Sequence, residues 1–149
     1  MNFKTIRLTK DGPLATLQLN RPEAYNALNE FMAPELLEAV LDVKDDPNIR
    51  AMIFTGTGAA FCAGGDVKGF ASQGAHASKH IDRLVIPFHA FITHMLRMGK
   101  PVLGAINGVA AGGGLSMAMA CDVVVARADA VFTVAYSRIG ASPDGRSAS

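Results

Sequence analysis

Residues 100–126, KPVLGAINGVAAGGGLSMAMACDVVVA, hold two apolar runs on either side of a glycine-rich turn. PVLGAI is short, continuous and apolar, the composition of a strand buried on both faces. It ends at Asn107-Gly108, and the triplet Gly112-Gly113-Gly114 then opens a helix over GGGLSMAMA, with DVVVA as the next strand. Glycine in the first turn of a helix exposes backbone N–H groups that have no intrahelical partner, and the helix dipole adds partial positive charge there. An anion or a developing oxyanion fits such a place. The alternative is that the three glycines only let helix and strand pack closely. Phosphate binding is discounted, because GVAAGGGLS has neither the Gly-x-Gly-x-x-Gly nor the P-loop spacing.

The same pattern occurs upstream. AMIFTG, residues 51–56, is a second apolar run read as a strand buried on both faces, and it feeds TGAAFCAGGDVKGF. The loops GTGAAFCAGGD and INGVAAGGG each leave a strand through a glycine turn, pass small residues and reach a glycine pair. A repeated strand-strand-helix unit follows as an expectation. Two such loops can converge two N–H groups on one oxygen, the geometry of an oxyanion hole.

Around these loops the chain alternates strands and helices, which places it in the α/β class. Phe3 to Thr9 and Leu14 to Leu19 read as a hairpin joined at KDGP, with Asp11-Gly12 as the turn signal. NEFMAPELLEAVLDV carries Met32, Leu36, Ala39 or Val40, and Val43 at helical spacing, with Pro34 placed in the first turn. A longer helix is expected to bury Ile81, Val85, Phe88, Ile92 and Met95, and Pro87 to bend or break it. DVVVA and AVFTV are further strands around RADA, with Asp122 and Arg127 bracketing the first as a buried strand; AYSRIGASPDG and RSAS close the chain.

Composition narrows the function. A chain of 149 residues, 50% hydrophobic and 18% charged, is one globular domain. Its formal net charge of +1 and scattered basic residues argue against a nucleic-acid surface. No run reaches the length of a membrane span and MNFKTIRLTKDG lacks an apolar signal core, so neither membrane nor export is expected. Cys62 and Cys121 have no metal-type spacing and read as buried, reduced thiols, consistent with a cytoplasmic setting. His76 and His80 lie four apart without a third ligand, so a solvated helix is preferred to a metal site. His89 and His94 flank the apolar stripe.

LNRPEAYNALN (19–29), AFCAGGDVKGF (60–70) and residues 100–126 together resemble the crotonase superfamily, the enoyl-CoA hydratase and isomerase enzymes that act on coenzyme A thioesters. The likeness runs from the first strand to about residue 145 and corresponds to the N-terminal half, or a little more, of a member. It implies a crotonase-like spiral of strand-strand-helix turns over residues 1–145, with 146–149 as a polar tail. Members continue after PDG with a further helical region that supports trimers or dimers of trimers; RSAS stands there instead, so that region is expected to be missing and a homo-oligomer to depend on it.

The resemblance also implies site residues. The oxyanion donors fall on the backbone N–H groups of Gly65 and Gly113. Ala24, Ala63 and the loop Gly65, Asp66, Val67 and Lys68 match positions lining the coenzyme A and acyl channel, and Gly112, Ser116 and Tyr136 adjoin the substrate. Asp66 is read as fixing its loop by bonding nearby N–H groups. The hydratases carry glutamates where this chain has Ser116 and Tyr136, so water addition lacks its two carboxylates. Asp144, in IGASPDG, matches the aspartate that some family isomerases use as base and that thioester dehalogenases use as nucleophile. Moving a double bond from C3=C4 to C2=C3 needs one base, so enoyl-CoA isomerisation is the expected activity, with no cofactor beyond the coenzyme A of the substrate and no metal. A hydratase, hydrolase or dehalogenase is the alternative within the family, and an inactive acyl-CoA-binding or assembly module the alternative outside catalysis.

Overall fold

The computed structural model of the protein describes residues 1–66 and 74–134. Strands β1 (Ile6–Asp11) and β2 (Leu14–Leu19) form an antiparallel hairpin, paired from Ile6 with Leu19 to Asp11 with Leu14. The turn is Gly12-Pro13, one residue later than expected, with Gly12 at φ 55°. The strand begins at Ile6 and not Phe3 because the carboxylate of Glu35 captures the N–H groups of Lys4 and Thr5, each at 2.8 Å.

Helix α1 (Met32–Asp45) follows, with Pro34 in its first turn, where a missing N–H costs nothing. The Asn29 side-chain oxygen accepts from the N–H groups of Phe31 and Met32, covering two donors of that turn. Strands β3 (Ala51–Gly56) and β4 (Ala60–Cys62), helix α2 (Ala77–Leu96), strands β5 (Val102–Ile106) and β6 (Val109–Ala111), helix α3 (Gly113–Met119), and strands β7 (Val123–Ala126) and β8 (Phe132–Thr133) complete the described chain.

The repeat seen in the sequence is present in the topology. One sheet has the order β1-β2-β3-β5-β7 and the other β4-β6-β8. Each of the pairs β3β4, β5β6 and β7β8 adds one parallel strand to each sheet, which is one turn of a spiral. The core lies between the first sheet and the helices. Phe54 meets Phe61 and Phe91 edge to face, with ring centroids 5.3 and 5.9 Å apart, and all three rings are fully buried. Burying each stabilises the fold by about 2–3 kcal/mol.

Four expectations need correction. Of the bend or break expected at Pro87, the break does not occur, since helix α2 continues through it; the carbonyl that loses its bond belongs to Arg83, four residues back and on the exposed side, where water can satisfy it. The buried stripe of α2 is Leu84, Phe88, Phe91, Ile92 and Met95, while Ile81 is 40% exposed and Val85 half-buried. Both stripes fit helical spacing and share Phe88, Ile92 and Met95; what lies opposite the N-terminal end decides between them. Strands β3 and β5 alternate buried with half-buried residues, so among the described residues only one face is fully covered. Finally, among the described residues β7 is the edge of its sheet and exposed throughout, so Asp122 and Arg127 do not bracket a buried strand there. Asp122 accepts the Val102 N–H at 2.8 Å, and Arg127 pairs with Asp129 at 2.9 Å.

Candidate active site

The second sheet positions the site. Strands β4 and β6 are parallel neighbours, with Cys62 opposite Ala110, so the loops that leave them run side by side. Gly64, at φ 104°, sits against the other loop: a Cβ on it would lie 3.2 Å from the Ala111 carbonyl oxygen and 4.0 Å from the Gly112 Cα. A side chain there would force the two loops apart. Gly112 precedes α3 at φ 54° and ψ −119° and donates its N–H to the Thr133 carbonyl at 3.1 Å. Gly113 is the first helical residue, so its N–H has no partner within the helix.

Leu28 ties the two loops together. Its N–H donates to the Gly64 carbonyl at 2.7 Å and its carbonyl accepts from the Asp66 N–H at 2.8 Å, a parallel bridge opposite Gly65. In such a bridge the residue between the two bonds turns its own N–H and C=O to the opposite side, so the Gly65 N–H faces away from Leu28. The Leu28 side chain closes on Gly113, where an added Cβ would lie 2.6 Å from Leu28 Cδ1 and 3.5 Å from Phe88 Cζ. One residue thereby fixes the approach to both glycines.

The LNRPEAYNAL segment supports this arrangement. Tyr25 and Asn26 adopt left-handed φ angles of 51° and 57°. Asn26 is fully buried; its side-chain oxygen accepts the Arg21 N–H at 2.8 Å, and its amide donates to the Thr57 and Ala60 carbonyls, both at 2.9 Å. The Tyr25 carbonyl accepts the Ala63 N–H at 3.0 Å. Half-buried Ala24, exposed Ala63, exposed Gly65 and half-buried Asp66 therefore belong to one cluster of loops, beside Gly112 and Gly113. Asn26→Ala strands the Thr57 carbonyl, removes one of the two donors to the Ala60 carbonyl and leaves alanine in a left-handed conformation, so a loss of about 3 kcal/mol is expected. Urea denaturation checks it, and an unchanged midpoint contradicts this bonding role.

Ser116 is fully buried one turn into α3, where its N–H donates to the Gly112 carbonyl at 3.1 Å. The carboxylate of Asp66 faces the Arg21 guanidinium at 3.3 Å. Arg21 and Asn26 carried no signal beyond their place in a motif. Val67, Lys68, Tyr136 and Asp144 lie outside the described residues. Among the described residues no three His, Cys, Asp or Glu side chains are grouped to hold a metal. His80 is half-buried and paired through Nδ1 with Glu30 at 2.7 Å, so it is not the solvated side chain expected of it. No helix of the described chain is long and apolar enough to cross a membrane.

Burial pushes the thiols of Cys62 and Cys121 from an ordinary 9.0 up to about 12. Cys62 is wholly buried and Cys121 half-buried. Both stay protonated at pH 8, so iodoacetamide is expected to label them in denaturant and not in the folded protein. Mass spectrometry reads this directly, and rapid labelling of the folded chain contradicts it. Because the neutral form is the one favoured by folding, their contribution to stability is intact below about pH 9 and declines as pH rises toward 12.

The enoyl-CoA hydratase/isomerase family model matches residues 9–148. A probable enoyl-CoA hydratase of Rhodobacter capsulatus is 38% identical over 144 residues, 97% of this chain and 54% of that protein. The 1,2-epoxyphenylacetyl-CoA isomerase of Escherichia coli is 37% identical over 130 residues, 87% of this chain and 50% of its own length. The crystal structure of an enoyl-CoA hydratase from Polaromonas sp. JS666 superposes with a TM-score of 0.86 at 38% identity, covering 94% of this chain and 55% of that one. The chain belongs to the enoyl-CoA hydratase/isomerase family and has its crotonase-like α/β fold. It spans about half the length of the relatives it matches.

Proposed function

We propose that the protein binds an enoyl-CoA thioester and shifts its double bond, with the thioester carbonyl held between the N–H groups of Gly65 and Gly113 and Asp144 moving the proton. The observation that carries this reading is the bond pattern of Leu28, which turns the Gly65 N–H outward and packs beside Gly113. Two convergent donors stabilise the enolate oxygen that forms when C2 loses its proton, and one such donor is worth roughly 100- to 1000-fold in rate. Asp144 takes the proton from C2 and returns it to C4, so one group serves as both base and acid. Ala24, Ala63, Asp66, Val67 and Lys68 border the coenzyme A portion, while Gly112, Ser116 and Tyr136 adjoin the acyl portion. With the family's C-terminal helical region present, the assembled enzyme is a homo-oligomer, a trimer or a dimer of trimers.

Hydration is disfavoured by chemistry at Ser116. A buried hydroxyl holds a hydrogen bond, but it does not take up a proton from water at neutral pH as a carboxylate does. Mass analysis of the product from a 3-enoyl-CoA separates the reactions: isomerisation leaves the mass unchanged and hydration adds one water. The expected product is the isomeric 2-enoyl-CoA. A hydroxyacyl-CoA as the sole product overturns the isomerase assignment, and free coenzyme A points to a hydrolase.

A further inference from the structure

We propose that Arg21 is a positioning residue for the Gly65 donor, a role that rests on the oxyanion reading above. Gly64 and Gly65 are consecutive glycines, and such a pair has no side chain to hold its own backbone in one conformation. The direction of the Gly65 N–H must therefore be imposed by what binds the flanking residues. On one side the Leu28 backbone does this through its two bonds to Gly64 and Asp66. Arg21 is the second restraint. Its Nη1 donates to the Ala27 carbonyl at 2.6 Å and its Nη2 faces the Asp66 carboxylate at 3.3 Å, so one planar guanidinium grips the residue before Leu28 and the residue after Gly65.

The grip is itself anchored. The Arg21 N–H donates to the Asn26 side chain at 2.8 Å, and its carbonyl accepts the N–H groups of Ala24 and Asn26 at 3.0 and 2.9 Å. Its backbone is thus fixed at both ends of the peptide unit before the side chain reaches out. The side chains of Arg21 and Asp66 are 17% and 23% exposed, so water competes only partly for the pair. Removing the guanidinium takes away its hold on the Ala27 carbonyl and the Asp66 carboxylate on either side of the bridge between Leu28 and Gly65, and the glycine pair gains freedom to rotate the N–H off target. Oxyanion stabilisation depends on donors already aimed at the oxygen, so a small rotation is costly to the reaction even where the fold survives.

The probe is butanoyl-CoA isotopically labelled at the thioester carbonyl, bound to the full chain and read by its carbonyl stretching frequency. The ligand is saturated, so the readout does not depend on which reaction the enzyme performs. In the unsubstituted protein the stretch is expected to move to lower frequency on binding. In Arg21→Ala roughly half or more of that shift is expected to vanish, with the Kd changed by less than about threefold, since donors to a developing charge weigh less on the ground state. Arg21→Lys keeps the charge opposite Asp66 without the fork, so an intermediate shift is expected. It decides the question alone if Arg21→Ala does not fold.

A full wild-type shift in the folded variants, whether or not their thermal stability has fallen, makes Arg21 a structural residue only and overturns the positioning role. Absence of butanoyl-CoA binding, or of any shift, in the unsubstituted protein overturns the oxyanion reading and this proposal with it.

Discussion

Gly114→Ala is expected to destabilise the fold by about 3 kcal/mol and to abolish the site. A Cβ at this position would lie 2.3 Å from the Cys62 carbonyl oxygen and 2.8 Å from Cys62 Cβ. The oxygen belongs to backbone at the end of β4, so no flexible side chain can turn aside. Either α3 lifts from the sheet or the exit of β4 is pushed outward, and both separate the loop carrying Gly65 from the turn carrying Gly113. Chemical denaturation of the variant measures the loss. A variant as stable as the parent contradicts the close contact of α3 with β4 on which the site geometry depends.

Asp144→Asn is expected to lower the isomerisation rate by roughly 100- to 10,000-fold while leaving acyl-CoA binding within about threefold of the parent. Asparagine keeps the size of aspartate and removes its capacity to take a proton. The loss therefore falls on kcat, because the base acts after the thioester is bound. Unchanged turnover removes Asp144 from the mechanism. Turnover lost together with binding assigns it to holding the substrate instead.

The sequence was most legible where local physics leaves few choices. The glycine loops could be placed because a glycine pair after an apolar run marks both a tight exit and a helix start; β3 and β5 were read as strands and their likeness suggested a repeat, while β4 and β6 lie within the segments read as loops. Helix α1 was fixed by its stripe of Met32, Leu36, Val40 and Val43, all fully buried. Periodicity failed where two neighbouring stripes satisfied it equally, as with Ile81 and Leu84 on α2. It failed again at β7, because a valine run states the preference for burial and not the presence of a cover.

At the site, the limit was pairing across distance in the chain. Nothing in LNRPEAYNAL says that the Leu28 backbone bridges Gly65 or that its side chain meets Gly113, since those partners lie 37 and 85 positions away. Asn26 could be read as a turn residue, yet its bonds to Thr57 and Ala60 belong to the tertiary fold. Arg21 looked like one more scattered charge until Asp66 stood opposite it. The Glu30 and His80 pair was hidden for the same reason, with 50 positions between its partners.

The most direct test of the two-donor site is an amide NMR titration of the chain, labelled at glycine nitrogen, with butanoyl-CoA. The amide protons of Gly65 and Gly113 are expected to move downfield together as the thioester binds, with the same saturation curve. Binding that moves neither proton, or only one of them, contradicts an oxyanion hole built from these two glycines.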